Sequence, residues 1–157
     1  MDGVGKGLEL FRFADQGQSV AVVVRCEEPR VVSDEAFYDA AIVLESDFIR
    51  GRVRLVLSRA DLDEWERCLS ELEAGEGIEW PGRDRTAWVD VIPDDPVRVT
   101  VRDAPSTGVE VCVPVDVAEG WLEENRGRLR RLREVLGVLS GRPAPDGGHR
   151  TGTEPAD

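Results

Sequence analysis

The chain has 157 residues, of which 41% are hydrophobic and 33% charged, and its formal net charge at pH 7 is −12. A chain of this length is expected to form one domain, and no apolar run is long enough for a signal peptide or a membrane span. We therefore expect a cytoplasmic protein without membrane or nucleic-acid partners, whose acidic excess attracts a basic protein partner instead.

The first part of the chain predicts a β-hairpin. Residues 8–14 and 18–26 are strand-like, and the glycine at the end of the intervening segment 15–17 suits a three-residue hairpin turn. Residues 27–36 are polar and contain Pro29, so this segment is expected to be a loop.

The passage from Tyr38 to Gly75 is the most informative part of the sequence. Alternation of apolar and polar residues predicts paired strands over 38–45 and 49–57, with a row of three arginines facing solvent: Arg50, Arg52 and Arg54. If the turn between the strands is tight, Glu45 lies opposite the first of these arginines. Opposite charges in such a pair contribute roughly 0.2–1 kcal/mol.

The repeat then changes from two residues to about 3.6, which predicts an amphipathic helix. Its apolar stripe consists of Leu62, Trp65, Leu69 and Leu72. Ser58 is the predicted N-cap, with Asp61 completing the capping interaction, and Gly75 is the predicted C-terminal stop.

Four further strands are predicted after this helix, over residues 78–81, 85–92, 97–102 and 109–115. Pro114 cannot donate a ladder hydrogen bond, so the last strand is expected at a sheet edge. A second helix is predicted over 117–139, with its leucines packed on the domain or forming a seam with a second copy.

These elements predict an α+β fold. We expect a mostly antiparallel sheet of about seven or eight strands, with the two helices packed on one face or end of it. Residues 1–139 form the predicted single domain. Residues 140–157, rich in Gly, Pro, Thr and charge, are expected to be a disordered C-terminal tail.

The sequence offers little for catalysis by histidine or for metal binding. The single histidine, His149, lies in the predicted tail, and Cys26, Cys68 and Cys112 are far apart and each inside an apolar element. We therefore expect reduced core cysteines, with no disulfide, no metal site and no cofactor.

Carboxylates beside tryptophans form the one candidate site. The tentative partner-binding residues are Trp80, Trp88, Asp90, Asp94 and Asp95. Exposed tryptophan is a common interface anchor, whereas the alternative is that the two tryptophans stack on each other or cover the sheet beneath a loop. A carboxylate enzyme would need two of the acids to converge in a cleft, but aspartates between prolines are also typical of a solvated turn.

Several phrases of the sequence resemble an uncharacterised actinobacterial family classed as a domain of unknown function. Beyond the 38–75 passage they are GIEWPG (77–82), RTAWVDV (85–91), DAPSTGVEVCVPVD (103–116) and GWLEENRGRL (120–129). This resemblance covers residues 8–136 and implies no activity or binding residues. The order of strands, short helix, strands and final helix is also similar to WapI-type bacterial immunity proteins, which implies toxin neutralisation by analogy.

The leading hypothesis is a non-enzymatic cytoplasmic protein-interaction domain, immunity-like, that uses an acidic surface. One alternative is an enzyme that uses Asp90, Asp94 and Asp95. The other is self-association as a homodimer, through the leucines of the second helix or the edge strand that contains Pro114.

Overall fold

The structure is a computed structural model that describes residues 7–104 and 106–140. The described part contains nine strands and two helices, which confirms the predicted α+β fold. The elements are β1 (Gly7–Ala14), β2 (Gln18–Arg25), β3 (Arg30–Val32), β4 (Glu35–Ser46), β5 (Arg50–Ser58), α1 (Arg59–Glu73), β6 (Ile78–Trp80), β7 (Ala87–Ile92), β8 (Val97–Asp103), β9 (Val109–Val115) and α2 (Trp121–Ser140). The predicted tail lies outside the described residues, except for Ser140 at the end of α2.

The strands form two antiparallel sheets rather than one sheet of seven or eight strands, which corrects the prediction. The larger sheet contains β1 to β5, and the smaller sheet has the order β6-β7-β8-β9. The inner faces of both sheets belong to one hydrophobic core together with both helices. Alternation in a sequence shows that a segment is a strand but not which strand it pairs with, so the division into two sheets was not predictable from it.

The larger sheet is built around the long strand β4. Residue Ala40 pairs with both β2 and β5, so these two strands lie on opposite sides of β4. Phe37 pairs with both Arg30 and Ser58, which puts β3 on the same side as β2. Strands β1 and β5 are therefore edge strands, and the short strand β3, which pairs only with β4, is a third.

Strand β3 lies in the segment that the sequence indicated as a loop. It is only three residues long, and its turn into β4 uses Ser33 and Asp34, which both have positive φ angles, of 54° and 68°. Two consecutive positive φ values are typical of a two-residue hairpin turn, but Asn-Gly or Asp-Gly is the usual sequence signal for it. The short strand and unusual turn residues explain why the prediction was wrong.

Helix α1 begins and ends close to where the sequence predicts. Ser58 is the N-cap, and its side chain and that of Asp61 form the reciprocal hydrogen bonds of a capping box. The chain leaves the helix through Gly75, whose φ of 86° suits glycine. The predicted apolar stripe is buried, and Trp65 is fully buried with its ring stacked on Phe11 at a centroid distance of 4.2 Å.

Helix α2 begins at Trp121, later than predicted, because Gly120 has a φ of 87° that a helix cannot contain. Its leucines 129, 132 and 136 are buried within the chain, so these side chains pack on the domain and do not form a seam with another copy.

Asn125 of α2 closes the edge of the larger sheet at β1. Its Oδ1 accepts a hydrogen bond from the backbone N–H of Arg12 at 2.8 Å, and its Nδ2 donates to the carbonyl of the same residue at 3.2 Å. The asparagine is fully buried. One side-chain amide thus makes the two backbone hydrogen bonds that a further strand would otherwise make with Arg12 of β1.

Asp15 in the first hairpin turn connects the two sheets. Its Oδ1 accepts from the N–H groups of Gly17 and Gln18 at 2.7 and 3.0 Å, and its Oδ2 accepts from the N–H of Asp116, just after β9, at 2.9 Å. These bonds, of which the one from Asp116 has the largest effect, lower the pKa of Asp15.

Because the folded-state pKa is depressed, the stabilisation by Asp15 is complete above the unfolded-state pKa of about 4 and is lost as the pH falls through the folded-state value. We expect Asp15→Asn to lower the free energy of unfolding by about 1 kcal/mol at neutral pH and by less in acid. Urea unfolding of both proteins at several pH values measures this difference. A difference that stays constant with pH would contradict the role assigned to the carboxylate.

The three cysteines are free thiols, and they do not all lie in the core. Cys68 is buried, and burial raises the pKa of its thiol to about 12, so the thiol stays protonated and unreactive at neutral pH. Cys112 is exposed, because it alternates with the buried valines of β9 and faces outward. The prediction of a core position was therefore wrong for Cys112.

Within residues 7–104 and 106–140, neither helix is long and apolar enough to cross a membrane.

Candidate functional site

Trp80 belongs to the core and not to the surface. It is fully buried in β6, and its indole N–H donates to the carbonyl of Asp61 in α1 at 2.9 Å. Its ring makes edge contacts with Phe11 and Trp65, at centroid distances of 5.6 Å in both cases. A partner cannot reach this side chain in the folded domain, so Trp80 is removed from the set of candidate contact residues.

Trp88 lies on the opposite face of the same sheet. Trp80 pairs with Val89, and because neighbouring residues of a strand point to opposite faces, Trp88 points away from the core. The two tryptophans therefore do not stack on each other. Asp90 follows Trp88 at the spacing of two that keeps it on the same side.

We call this side the outer face of the smaller sheet. It consists of the alternate residues Glu79, Trp88, Asp90, Ile92, Arg98, Thr100, Arg102, Glu110, Cys112 and Pro114. The register places Arg102 directly opposite Trp88, and Glu110 opposite Arg102 on the next strand. Ile92 is 42% exposed, so this face combines an aromatic ring, an aliphatic side chain and charges of both signs.

Arg102 is the centre of the charges on this face. Its Nε donates to Oδ2 of Asp90 at 2.5 Å, and its Nη1 lies 2.5 Å from Oε2 of Glu110. The hydrogen bond with Asp90 raises the pKa of Arg102, which keeps the guanidinium charged. The Asp90 side chain is 18% exposed, whereas the Glu110 side chain is 58% exposed. The pair with Asp90 is therefore the more shielded of the two.

Two polar atoms on this face are buried and have no hydrogen-bond partner among the described residues. They are Nε1 of Trp88, which is a donor, and Oδ1 of Asp90, which is an acceptor. Unsatisfied buried polar groups are uncommon in folded proteins, because each costs about 1–3 kcal/mol. Both atoms are covered by neighbouring side chains in this arrangement.

Asp94 and Asp95 lie in the turn that follows β7. Asp94 is exposed and pairs with Arg98 at 3.2 Å, and Asp95 is also exposed. Asp90 is committed to Arg102 on the sheet face, whereas Asp94 belongs to the solvated turn. A hydrolytic enzyme would need two of these carboxylates to converge in a cleft. Here Asp90 and Asp94 are held by different arginines, and Asp95 is open to solvent.

The sequence singled out Trp88 and Asp90 as candidates, but not their neighbours on the outer face, Arg102 and Glu110. The alternation in 97–102 and 109–115 showed that both lie on the solvent side of their strands. Only the register of β7, β8 and β9, which the sequence does not specify, places them beside Asp90.

In the part of the chain that the structure describes, no group of three or more His, Cys, Asp and Glu side chains could hold a metal ion.

The sequence matches one known family over most of its length. The match covers residues 8–137, from β1 to near the end of α2. No curated protein and no solved structure matches the chain significantly. The chain therefore belongs to the DUF5959 family, a family of unknown function.

Proposed function

We propose that the chain is a non-enzymatic protein-interaction domain of the cytoplasm, which binds a basic protein partner through the outer face of the smaller sheet. The observation that carries the proposal is the pair of unpartnered atoms, Trp88 Nε1 and Asp90 Oδ1, on the same face of one strand. Because one is a donor and the other an acceptor, a partner's backbone carbonyl and a cationic side chain would complete both once the side chains that cover them move aside.

The apolar part of the face suits a protein better than a small ligand. Trp88 is half-buried and Ile92 is 42% exposed. Each of them lies two positions from Asp90, on the outer side of β7. Tryptophan is enriched among residues that dominate binding energy, especially where surrounding contacts exclude water from it. A partner that covers this strip would shield the Asp90 carboxylate at the same time.

Long-range charge favours a basic partner. All of the net charge of −12 lies in residues 1–117, which include the whole of β7 and β8. In the turn beside this face, Asp95 adds an exposed carboxylate to those of Asp94 and Asp90, which pair with Arg98 and Arg102. The electrostatic field of this negative charge raises the association rate of a cationic protein and makes that rate depend on the salt concentration.

The proposal is tested by affinity capture from the native host with matched bait variants. We expect Trp88→Ala to reduce recovery of the partner about tenfold or more, the effect of losing a dominant contact. Phe48→Ala is the control, because this aromatic side chain is 90% exposed at the turn between β4 and β5, away from the proposed face. Recovery should also fall as salt is raised.

Equal recovery of the same protein with wild type and Trp88→Ala would overturn the assignment of this face. Recovery that is lost with Trp88→Ala but does not respond to salt would retain the face and reject the basic partner. Trp88→Phe separates the ring from its N–H group and shows whether the unpartnered donor contributes.

An immunity role is the narrower form of this proposal, in which the basic partner is a toxic protein. It rests on the similarity of element order to immunity proteins. It predicts that a toxin gene lies directly beside the gene for this chain, and that co-expression of the chain protects cells from that toxin. A purified toxin that kills equally well in the presence of the chain would reject this role.

A further inference from the structure

The outward side of β5 carries a row of three exposed arginines. Arg50, Arg52 and Arg54 are all exposed, and none of them has an ion pair within the described residues. This is unexpected in a protein with 32 acidic and 20 basic residues, since carboxylates are abundant. Even Glu45, which lies opposite Arg50 as predicted, does not form the ion pair with it.

The arginines of the smaller sheet behave differently. Arg98 pairs with Asp94, and Arg102 pairs with both Asp90 and Glu110. The ion pair predicted for Arg50 and Glu45 is therefore not formed, whereas both of these arginines of the smaller sheet are paired. The β5 row is a cationic stripe on a protein that is acidic as a whole.

The backbone of the same three arginines faces an open sheet edge. β5 pairs only with β4, and the tight turn between them is closed by a hydrogen bond from the N–H of Ser46 to the carbonyl of Ile49 at 2.9 Å. In an antiparallel ladder, hydrogen-bonded and non-hydrogen-bonded pairs then alternate. Arg50, Arg52 and Arg54 fall at non-hydrogen-bonded positions, so their N–H and C=O groups point away from β4.

Arg85 marks the end of this open edge. Its Nη1 donates to the carbonyl of Val56 at 3.3 Å, and its Nη2 is held by Oδ1 of Asp61 at 2.5 Å. Val56 has the same orientation as the three arginines, so the contact confirms that this side of the backbone faces outward. The available edge thus runs from Arg50 to Arg54.

A second copy of this chain does not suit the edge. If β5 strands of two molecules paired antiparallel about Arg52, arginines would lie opposite arginines. Like charges directly opposite each other destabilise a strand pair. Charge complementarity instead selects an extended segment with acidic residues at alternate positions, spaced about 7 Å apart as the arginines are.

We propose that the edge of β5 binds an extended acidic segment of a partner protein, which adds to the larger sheet as an antiparallel strand. The carboxylates of the segment lie opposite Arg50, Arg52 and Arg54, and its main chain completes the hydrogen bonds of the open edge. This surface is separate from the outer face of the smaller sheet and selects the opposite charge. An experiment that rejects one of the two proposed surfaces therefore leaves the other unaffected.

The experiment uses the full chain and a labelled synthetic peptide with glutamate at three alternate positions among threonines. We expect fluorescence anisotropy to detect binding that weakens with salt, and Arg52→Glu to lower the affinity about tenfold or more. Arg131→Glu is the matched control, since this exposed arginine of α2 undergoes the same charge change. It is expected to bind the peptide as wild type does. Circular dichroism checks that both variants fold.

A second peptide tests strand addition itself. N-methylation of the glutamates removes the N–H groups that face β5 and should abolish binding, whereas N-methylation of the intervening threonines should leave it unchanged. Equal binding of the two methylated peptides would overturn the proposal. An oligothymidylate that binds as tightly as the acidic peptide would also overturn it, because either result shows that the arginines bind anions in general. Failure of the acidic peptide to bind at low salt would also overturn it and leave the arginines the role of preventing edge pairing.

Discussion

Replacing Trp65 with alanine should lower the free energy of unfolding by about 3–5 kcal/mol, the range for removal of a large aromatic side chain from a core. Trp65 is fully buried, stacks on Phe11 and makes edge contacts with Phe13 and Trp80. It joins α1 to both sheets, because Phe11 belongs to the larger sheet and Trp80 to the smaller one. Truncation therefore leaves a cavity where three layers meet.

Urea unfolding followed by circular dichroism measures this effect without depending on tryptophan fluorescence. Trp65→Phe is the matched variant, since it keeps a ring beside Phe11 and should lose a smaller part of the stability. A loss below about 1 kcal/mol for the alanine variant would show that the surrounding core collapses into the space, contrary to this prediction.

Asn125→Ala should cost about 2–4 kcal/mol, because it leaves a buried N–H and a buried C=O of Arg12 without partners. The side chain is fully buried and binds both groups, at 2.8 and 3.2 Å. Alanine favours helix formation more than asparagine does, so intrinsic helix propensity works against the expected loss. A lower stability of Asn125→Ala would therefore be due to the missing hydrogen bonds and not to helix propensity.

Equilibrium unfolding gives the size of the loss, and hydrogen exchange locates it. The amide of Arg12 should exchange much faster in the variant than in the wild type. Asn125→Asp offers a control that keeps the acceptor for Arg12 N–H but removes the donor to its carbonyl, and so separates the two bonds. Wild-type stability of Asn125→Ala would reject the role of this residue in closing the sheet edge.

The parts of the fold that depend on neighbouring residues were predictable from the sequence. The alternation in 38–57 and the capping pair Ser58 and Asp61 led to correct strands and a correct helix start, because both are set by backbone geometry over a few residues. Pro114 was correctly expected at a sheet edge, since β9 pairs only with β8.

The parts that depend on distant pairing were not predictable. The same sequence pattern placed Trp80 and Trp88 in two neighbouring strands, yet one is a core residue beneath α1 and the other faces outward. Likewise, Arg52 and Arg102 look alike in sequence, since both alternate with valine or leucine. Among the residues that the structure describes, Arg52 has no ion pair and Arg102 holds two carboxylates, because the register of the neighbouring strands decides which acids come within reach.

The tie between the first hairpin turn and the end of β9 has a consequence for the order of folding. Asp15 binds the N–H of a residue 101 positions later, and Gln18 reaches the carbonyl of Pro114 across 96 positions. Closure over such distances is slow, because the entropy of the long intervening loop is lost before these contacts form. In refolding followed by pulsed hydrogen exchange, we expect the amides of Gly17 and Gln18 to gain full protection only after the end of β9 has joined the structure.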